Sequence, residues 1–403
     1  MITRRILLQS AAAAAAYSAQ GFRAARAENA PGVTDTEIKI GQTMPFSGPA
    51  SAYGVIGRAE AAYFRMINEN GGVNGRKINL ISIDDGFSPT KTVEQTRRLV
   101  EQEGVAFLFG SLGDPTNLAV RQYLNDDKIP QLFVAALAES VADPQHYPWT
   151  LPLHNSSASE AHVYAKYILA TKPNARIGVL NQNDPVSKIF LRAIHEVLGP
   201  RAASMIVKEV SYEVTDPTVD SQVISLHASG ADTLIIGAAP KGAAQAIRKA
   251  YDLGWAPDRF VINSSSSIVA VMQPAGLEKS KGVITAAYGK DPIDPRWKDD
   301  PGMKEWEAFA GKYLSATDFK DQFAFYGYHV AIVMTYVLKQ CGDDLSRDNI
   351  LRQALSLKDF TTPLLLPGIT INTSPTNYLP VQQFQLARFN GENWELFGDV
   401  LSG

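Results

Sequence analysis

Two adjacent carboxylates, Asp84-Asp85, have the types needed for acid–base work or for holding a metal ion. They end an apolar run and precede Pro89, a setting in which Asp oxygens accept the backbone N–H bonds of a turn. A third carboxylate opens Asp114-Pro115-Thr116-Asn117, directly after Phe109-Gly110-Ser111-Leu112-Gly113. An Asp before a Pro reads as the N-cap and first residue of a helix. The other reading of Asp114 is an acceptor that faces a ligand's cation or hydroxyl. Nucleophilic, hydrolytic and nucleotide chemistry leave no trace, because the chain has no GxSxG, HExxH, GxxxxGK[ST] or GxGxxG sequence. His195-Glu196 runs on as Val197-Leu198-Gly199, so it lacks the second histidine of a zinc helix. The six histidines (146, 154, 162, 195, 227, 329) show no ligand spacing, and no metal or cofactor is expected. An enzyme would have to rest on Asp84, Asp85 and Asp114 alone, without a nucleophile–base pair, so a binding protein is the stronger reading.

These residues sit where strands give way to helices. Apolar strand patterns occupy 78–83, 105–109, 131–134, 177–180, 205–210, 233–236, 260–262 and 282–286. Helical patterns lie between them at 90–101, 159–170, 188–197 and 242–253. Alternation with short loops implies parallel sheets with crossover helices, and ligands then sit at the carboxyl ends of the strands. After residue 282 come a loop rich in Asp and Pro, helices near 303–313 and 322–339, and an alternating segment at 379–397 with a hairpin signal at Asn390-Gly391. At 403 residues the chain exceeds the size of a single core, so two lobes are expected.

The spacing of Ile38-Lys39-Ile40-Gly41, Pro45-Phe46-Ser47-Gly48-Pro49, Tyr53-Gly54 and Asn70-Gly71-Gly72-Val73-Asn74-Gly75 resembles the Leu/Ile/Val-type periplasmic solute-binding proteins of ABC importers. The resemblance continues through Ile83–Gly86, Phe109–Gly113, Tyr164–Ile168 and Ala250–Gly254, and so covers residues 35–400. It implies an α/β fold of two Rossmann-like lobes with parallel central sheets, joined by a hinge that the chain crosses three times (the type I periplasmic binding protein fold). It places the first lobe at 35–150 plus 287–380 and the second at 151–286 plus 381–403. The crossings then fall near 149–154, 285–288 and 380–384. The implied partners are a small-molecule ligand and the permease and ATPase subunits of an inner-membrane importer, with the chain itself a monomer. A sensor for a membrane kinase or chemoreceptor is the alternative use of the same closure.

Mapped by that resemblance, the ligand site takes Phe46 and Tyr53 as aromatic lining, Leu112, Gly113 and Asp114 in the loop that receives a ligand carboxylate, and Ala135 and Ala136 where amino-acid binders carry a threonine. Ser264 stands at the acidic anchor for an α-ammonium, Val186 and Ala239 at two tyrosines of the second lobe, and Tyr288 beside a crossing. With the hydroxyl, acidic and tyrosine anchors replaced, an α-amino-acid zwitterion would lack partners for its charges, and each unpaired buried charge is costly. The expected cargo is therefore an aromatic, amide or other weakly polar solute, with a branched-chain amino acid as the alternative.

The N-terminus reads as an export signal. Arg4-Arg5 precedes an alanine-rich run, and Ala25-Arg26-Ala27 supplies a small-x-small site, so residues 1–27 resemble a Tat-type signal peptide cleaved after Ala27, with a Sec signal as the alternative and the mature chain in the periplasm. Cleavage would remove four arginines and no acid, taking the net charge from −3 to −7. An acidic chain without basic clusters is a poor partner for nucleic acid or anionic membrane. Cys341 is the only cysteine, which excludes an internal disulfide and CxxC chemistry.

Overall fold

The computed structural model describes residues 30–403, so the export signal and its cleavage after Ala27 lie outside the described residues. Two sheets organise the chain. The first joins β1 (Glu37–Met44), β2 (Lys77–Asp84), β3 (Leu108–Phe109), β4 (Gln131–Val134) and β5 (Thr150–Pro152), all parallel, in the order β2-β1-β3-β4-β5. The second runs β12-β11-β10-β9-β8-β6-β7. Its parallel part is β6 (Ile177–Gln182), β7 (Ile206–Tyr212), β8 (Thr233–Gly237), β9 (Asp258–Val261) and β10 (Ile284–Ala287). β11 (Gln383–Phe389) and β12 (Trp394–Ser402) extend its β10 edge antiparallel.

The longer helices are α1 (Gly54–Glu69), α2 (Pro89–Arg97), α3 (Asp114–Asp126), α4 (Ser157–Thr171), α5 (Pro185–Leu198), α6 (Asp220–Ala228), α7 (Pro240–Asp252), α8 (Pro301–Tyr313), α9 (Gln322–Cys341) and α10 (Arg347–Ala354). The central strands are apolar without alternation: every residue of β4, β6 and β8 is buried, as strands covered on both faces require. Of the strand expected at 105–109, only Leu108 and Phe109 join the ladder, and Ala106 reaches β1 through a separate bond from its N–H to Lys39 O at 2.8 Å.

α9 is buried along most of its length and lies against α1. A Cβ at Gly327 would stand 2.5 Å from the Ile56 carbonyl oxygen, so only glycine allows that approach. Around this seam the rings of Trp306, Phe325 and Tyr328 pack against one another, with Trp306 and Phe325 centroids 4.8 Å apart and Tyr328 edge-on to Trp306. Burying Phe325 fully contributes roughly 1.5–3 kcal/mol.

Three stretches run between the sheets. Residues 153–156 and 379–382 lie side by side, with Ser156 N–H donating to Val381 O at 3.1 Å. Residues 288–290 pair with Leu365 through Gly289. Leu151 and Pro152 still pair with β4, so the first sheet extends two residues beyond the lobe boundary expected at 150.

Candidate ligand cleft

Between the two sheets lies a cleft with about 990 Å³ of empty space, part of it open to solvent. Its walls are the loops at the carboxyl ends of strands from both sheets. The first sheet contributes Tyr53 after β1, Phe87 after β2, Leu112, Gly113 and Asp114 after β3, and Ala135 and Leu137 after β4. From the second come Gln182, Asp184, Val186 and Ser187 after β6, Val214 after β7, Ala238 and Ala239 after β8, and Asn263 and Ser264 after β9. His154 and Tyr288 line it from two of the inter-sheet stretches, and Phe323 and Tyr326 from the start of α9.

Nine of the residues singled out in the sequence are brought together here: Tyr53, Leu112, Gly113, Asp114, Ala135, Val186, Ala239, Ser264 and Tyr288. Two are not. Phe46 is 37% exposed and lays its ring against Gly54 and Gly57 of α1, outside the cleft. Ala136 points away because the 135–138 loop alternates, with Ala135 and Leu137 towards the cleft. Ala136 and Ala138 instead enter an apolar cluster with Val134, Val141, Val186 and Ile189. That cluster joins the two walls, since Val186 and Ile189 belong to α5.

The helix-cap reading of Asp114 needs correction. Gly113 is the N-cap, held at φ +104, where a Cβ would meet Phe87 and Thr116 at 2.6 Å. Asp114 is the first helical residue, and its side chain makes no capping bond. Its Oδ1 instead accepts the N–H groups of Leu137 at 3.0 Å and Ala138 at 2.7 Å, which ties the β3 loop to the β4 loop. Oδ2 has no protein partner among the described residues. Burial pushes the Asp114 carboxyl up to about 7, with the charge of Asp184 adding to the effect.

Asp84 and Asp85 are turn residues. Asp84 accepts from the N–H groups of Ser47 and Gly86, and Asp85 from Phe87 N–H at 3.0 Å and the Thr92 hydroxyl at 2.8 Å. Neither lines the cleft, though the turn they hold presents Phe87 to it.

Sequence reasoning missed His154, Gln182, Asp184, Asn263, Phe323 and Tyr326. A signal for Asp184 was present: Asp184-Pro185 repeats Asp114-Pro115 after a strand of the other sheet. Asp184 does cap its helix, accepting Ser187 N–H at 2.8 Å, while its other oxygen accepts from Gln182 Nε2 at 2.6 Å. His154 is neutral, because burial lowers it to about 4, and its Nδ1 accepts Asn155 N–H at 2.9 Å. The side-chain Nδ2 of Asn263 is buried without a partner among the described residues.

The walls also touch directly. Tyr53 Oη donates to Ser264 O at 3.1 Å. Ser267 Oγ donates to Asp321 Oδ1 and Ser266 Oγ to Gln322 Oε1, both at 3.0 Å, linking the β9 loop to the start of α9.

Comparison with known proteins places this geometry. The profile of a family described as periplasmic binding protein matches residues 37–393. The Leu/Ile/Val-binding protein homolog 7 of Brucella abortus is 25% identical over 288 residues, 69% of this chain and 71% of its own. The Leu/Ile/Val-binding protein of Escherichia coli is 23% identical over 286 residues, 68% of this chain and 77% of its own. Among solved structures, a branched-chain amino acid ABC transporter protein from Thermus thermophilus with bound valine superposes with a TM-score of 0.82 at 14% identity, covering 92% of this chain and 98% of that one. A fatty acid ABC transporter substrate-binding protein from Thermomonospora curvata gives 0.77 at 21% identity, covering 94% and 95%. At such identities the structural likeness speaks for the fold alone.

Proposed function

The chain belongs to the periplasmic binding protein family, in the type I group of the Leu/Ile/Val-binding proteins, and from that premise we propose that it captures a small organic solute for an ABC importer. In this reading the first lobe is 35–150 plus 287–380, extended by the end of β5 to residue 152, and the second is what remains of 151–286 beyond β5 plus 381–403. The solute binds an open cleft, bridges both lobes, and favours the closed form by the contacts it makes with each. Closure presents a surface that a permease distinguishes from the empty protein. Export to the periplasm and function as a monomer are part of the same proposal.

The observation that carries it is the cleft built from strand ends of both sheets, with the Tyr53–Ser264 bond and the Val186–Ile189 cluster closing it. The Ser187 hydroxyl bonds Asp184 in the lining, and the reading as a binding protein rests on the cleft and the family rather than on these groups.

The cargo is proposed to be a solute other than an ordinary α-amino acid. Asp114 stands where the family resemblance would receive a ligand carboxylate, and among the described residues no Lys or Arg lines the cleft to compensate one. Leu137, Val186, Phe87, Phe323 and the tyrosines suit an apolar or aromatic body. The test is a thermal-shift screen of residues 28–403, stripped of bound solute by unfolding and refolding. A ligand at a thousand times its dissociation constant adds about 4 kcal/mol and raises the melting point by several degrees. A shift with valine or leucine overturns the cargo reading, and a shift with aromatic or weakly polar solutes alone supports it.

A further inference from the structure

Two helix N-termini from opposite sheets, those of α3 and α5, end on the cleft. Free helix ends attract anions through their N–H groups and dipole. Here each end already carries a carboxylate of its own, Asp114 on one and Asp184 on the other. Both residues line the cleft, and among the described residues its lining holds no Lys or Arg to balance them. His154, the remaining basic side chain in the lining, is neutral. Lys188 acts on Asp184 from α5, but it is exposed and outside the lining. The same lining holds the rings of Tyr53, Phe87, Phe323 and Tyr326. A further polar group is unspent: Asn263 is 6% exposed, and its Nδ2 has no partner among the described residues.

We propose, granting the binding-protein reading, that the solute is a small organic cation, a primary amine or amidinium on an apolar or aromatic body, held between Asp114 and Asp184 as the cleft closes. An N⁺–H group donates to the open Oδ2 of Asp114 and to the Asp184 carboxylate, each of which keeps a lone pair beyond its protein bonds. Asn263 Nδ2 donates to an acceptor on the body of the solute, and the rings lie over its cation and apolar part. Closure then couples to charge. Bringing two carboxylates together in a low-dielectric cleft is unfavourable when it is empty, and a cation between them converts that repulsion into attraction. An anionic solute meets two like charges. A zwitterion satisfies the carboxylates but leaves its own carboxylate unpaired. A neutral amide offers N–H donors without charge, and so leaves the repulsion in place.

The probes are benzamidine and 2-phenylethylamine against benzamide, benzoate and phenylalanine, titrated calorimetrically into the stripped chain 28–403 at pH 8 and pH 5.5. One of the two cations binds about tenfold or more tightly than benzamide, as a charge-assisted bond requires, and benzoate and phenylalanine do not compete. Its affinity falls about tenfold towards pH 5.5, where Asp114, facing Asp184, Glu139, Tyr53 and neutral His154, takes up a proton. Asp114→Asn and Asp184→Asn each lower the cation's affinity by about tenfold, while the melting point without ligand stays within a few degrees. Benzamide binding as tightly as benzamidine overturns the inference, as does unchanged affinity in Asp114→Asn. A neutral or anionic probe that binds when neither cation does removes the cation and leaves the binding-protein reading standing. If no probe binds, and mass spectrometry finds no small molecule released when the purified chain is unfolded, both readings fall.

Discussion

Asp114 in the cleft and Glu160 on α4, bonded to Asn155 of the proposed hinge, are both buried, and burial pushes both up to about 7, yet their surroundings differ in kind. Glu160 has every oxygen engaged: Oε1 bonds Tyr164 Oη at 2.7 Å and accepts Asn263 N–H at 2.6 Å, and Oε2 accepts from Asn155 Nδ2 at 3.0 Å. Asp114 takes two N–H groups on one oxygen and leaves the other open. The hinge carboxyl therefore spends its bonding capacity on the protein, and the cleft carboxyl keeps half of it. Equal burial and equal displacement of titration do not separate structural from functional groups; the unspent hydrogen-bonding capacity does. Asn263 spans the two regions, giving its backbone N–H to Glu160 and keeping its side-chain amide free at the cleft.

The largest effect should come from the hinge. Glu160→Ala leaves the Asn155 side-chain amide and the Asn263 N–H as buried donors facing no acceptor and opens a cavity beside Tyr164, and an expected loss of about 3–5 kcal/mol follows. Urea unfolding measures it, and a loss under about 1 kcal/mol would erase the distinction between the two carboxyls. The same network holds a proton. Tyr164 Oη stands 2.7 Å from both Glu160 Oε1 and Val261 O, accepts Ala286 N–H at 2.9 Å, and has one hydrogen to give. All these bonds form together when Glu160 is protonated and donates to Tyr164.

Next in size is the response to pH. Asp114, Glu160 and Asp291 each sit at about 7 in the folded chain, above the ordinary carboxyl range. The folded state therefore binds more protons than the unfolded one, and stability rises as pH falls from 8 to 6.5, by on the order of 1–2 kcal/mol. Below about 6.5 the gain is opposed, because burial lowers His154 to about 4 and His329 to about 3, and the unfolded chain then takes up the protons these refuse. Melting curves of the unliganded chain at pH 8, 6.5 and 5 should rise and then level off. A melting point that falls from pH 8 to 6.5 contradicts protonation at these sites. Asp114→Asn keeps the Oδ1 acceptor and removes the buried charge, so between pH 5 and pH 8 it should gain on the parent by roughly 2–3 kcal/mol of stability.

Much of this fold was legible because alternation of apolar runs with helical patterns is a strong local signal. The β-strand ends that form the cleft follow from it, and the family resemblance then placed Gly113, Ala135, Ala239 and Ser264 on those loops. Side-chain direction was not legible. Ala135 and Ala136 are indistinguishable by type, and only the turn after β4 sends one to the cleft and the other to the core. Asp114 was misread for the same reason: its local sequence permits a cap, while the acceptor it becomes depends on the Leu137 and Ala138 N–H groups more than twenty residues away. Phe323 and Tyr326 were invisible as site residues because a long apolar helix gives no sign that its first turn faces a cleft.

The smallest expected effect tests whether the walls hold the cleft closed through the protein or through the solute. Tyr53 Oη, which burial keeps protonated with its pKa pushed up to about 12, donates to Ser264 O across the cleft, and the ring packs on Phe323 with centroids 4.9 Å apart. Tyr53→Phe removes the bond and keeps the ring, so the closed form loses about 1 kcal/mol and the open form loses nothing. Because solute affinity is scaled by the population of the closed form, the apparent dissociation constant should rise about fivefold, with the unfolding of the unliganded chain nearly unchanged. Tyr53→Ala removes ring and bond together and should weaken binding further. An affinity unchanged in Tyr53→Phe but lost in Tyr53→Ala would mean that the ring contacts the solute and the hydroxyl plays no part in closure. The polar grip on the two walls would then come from Asp114 and Asp184 alone.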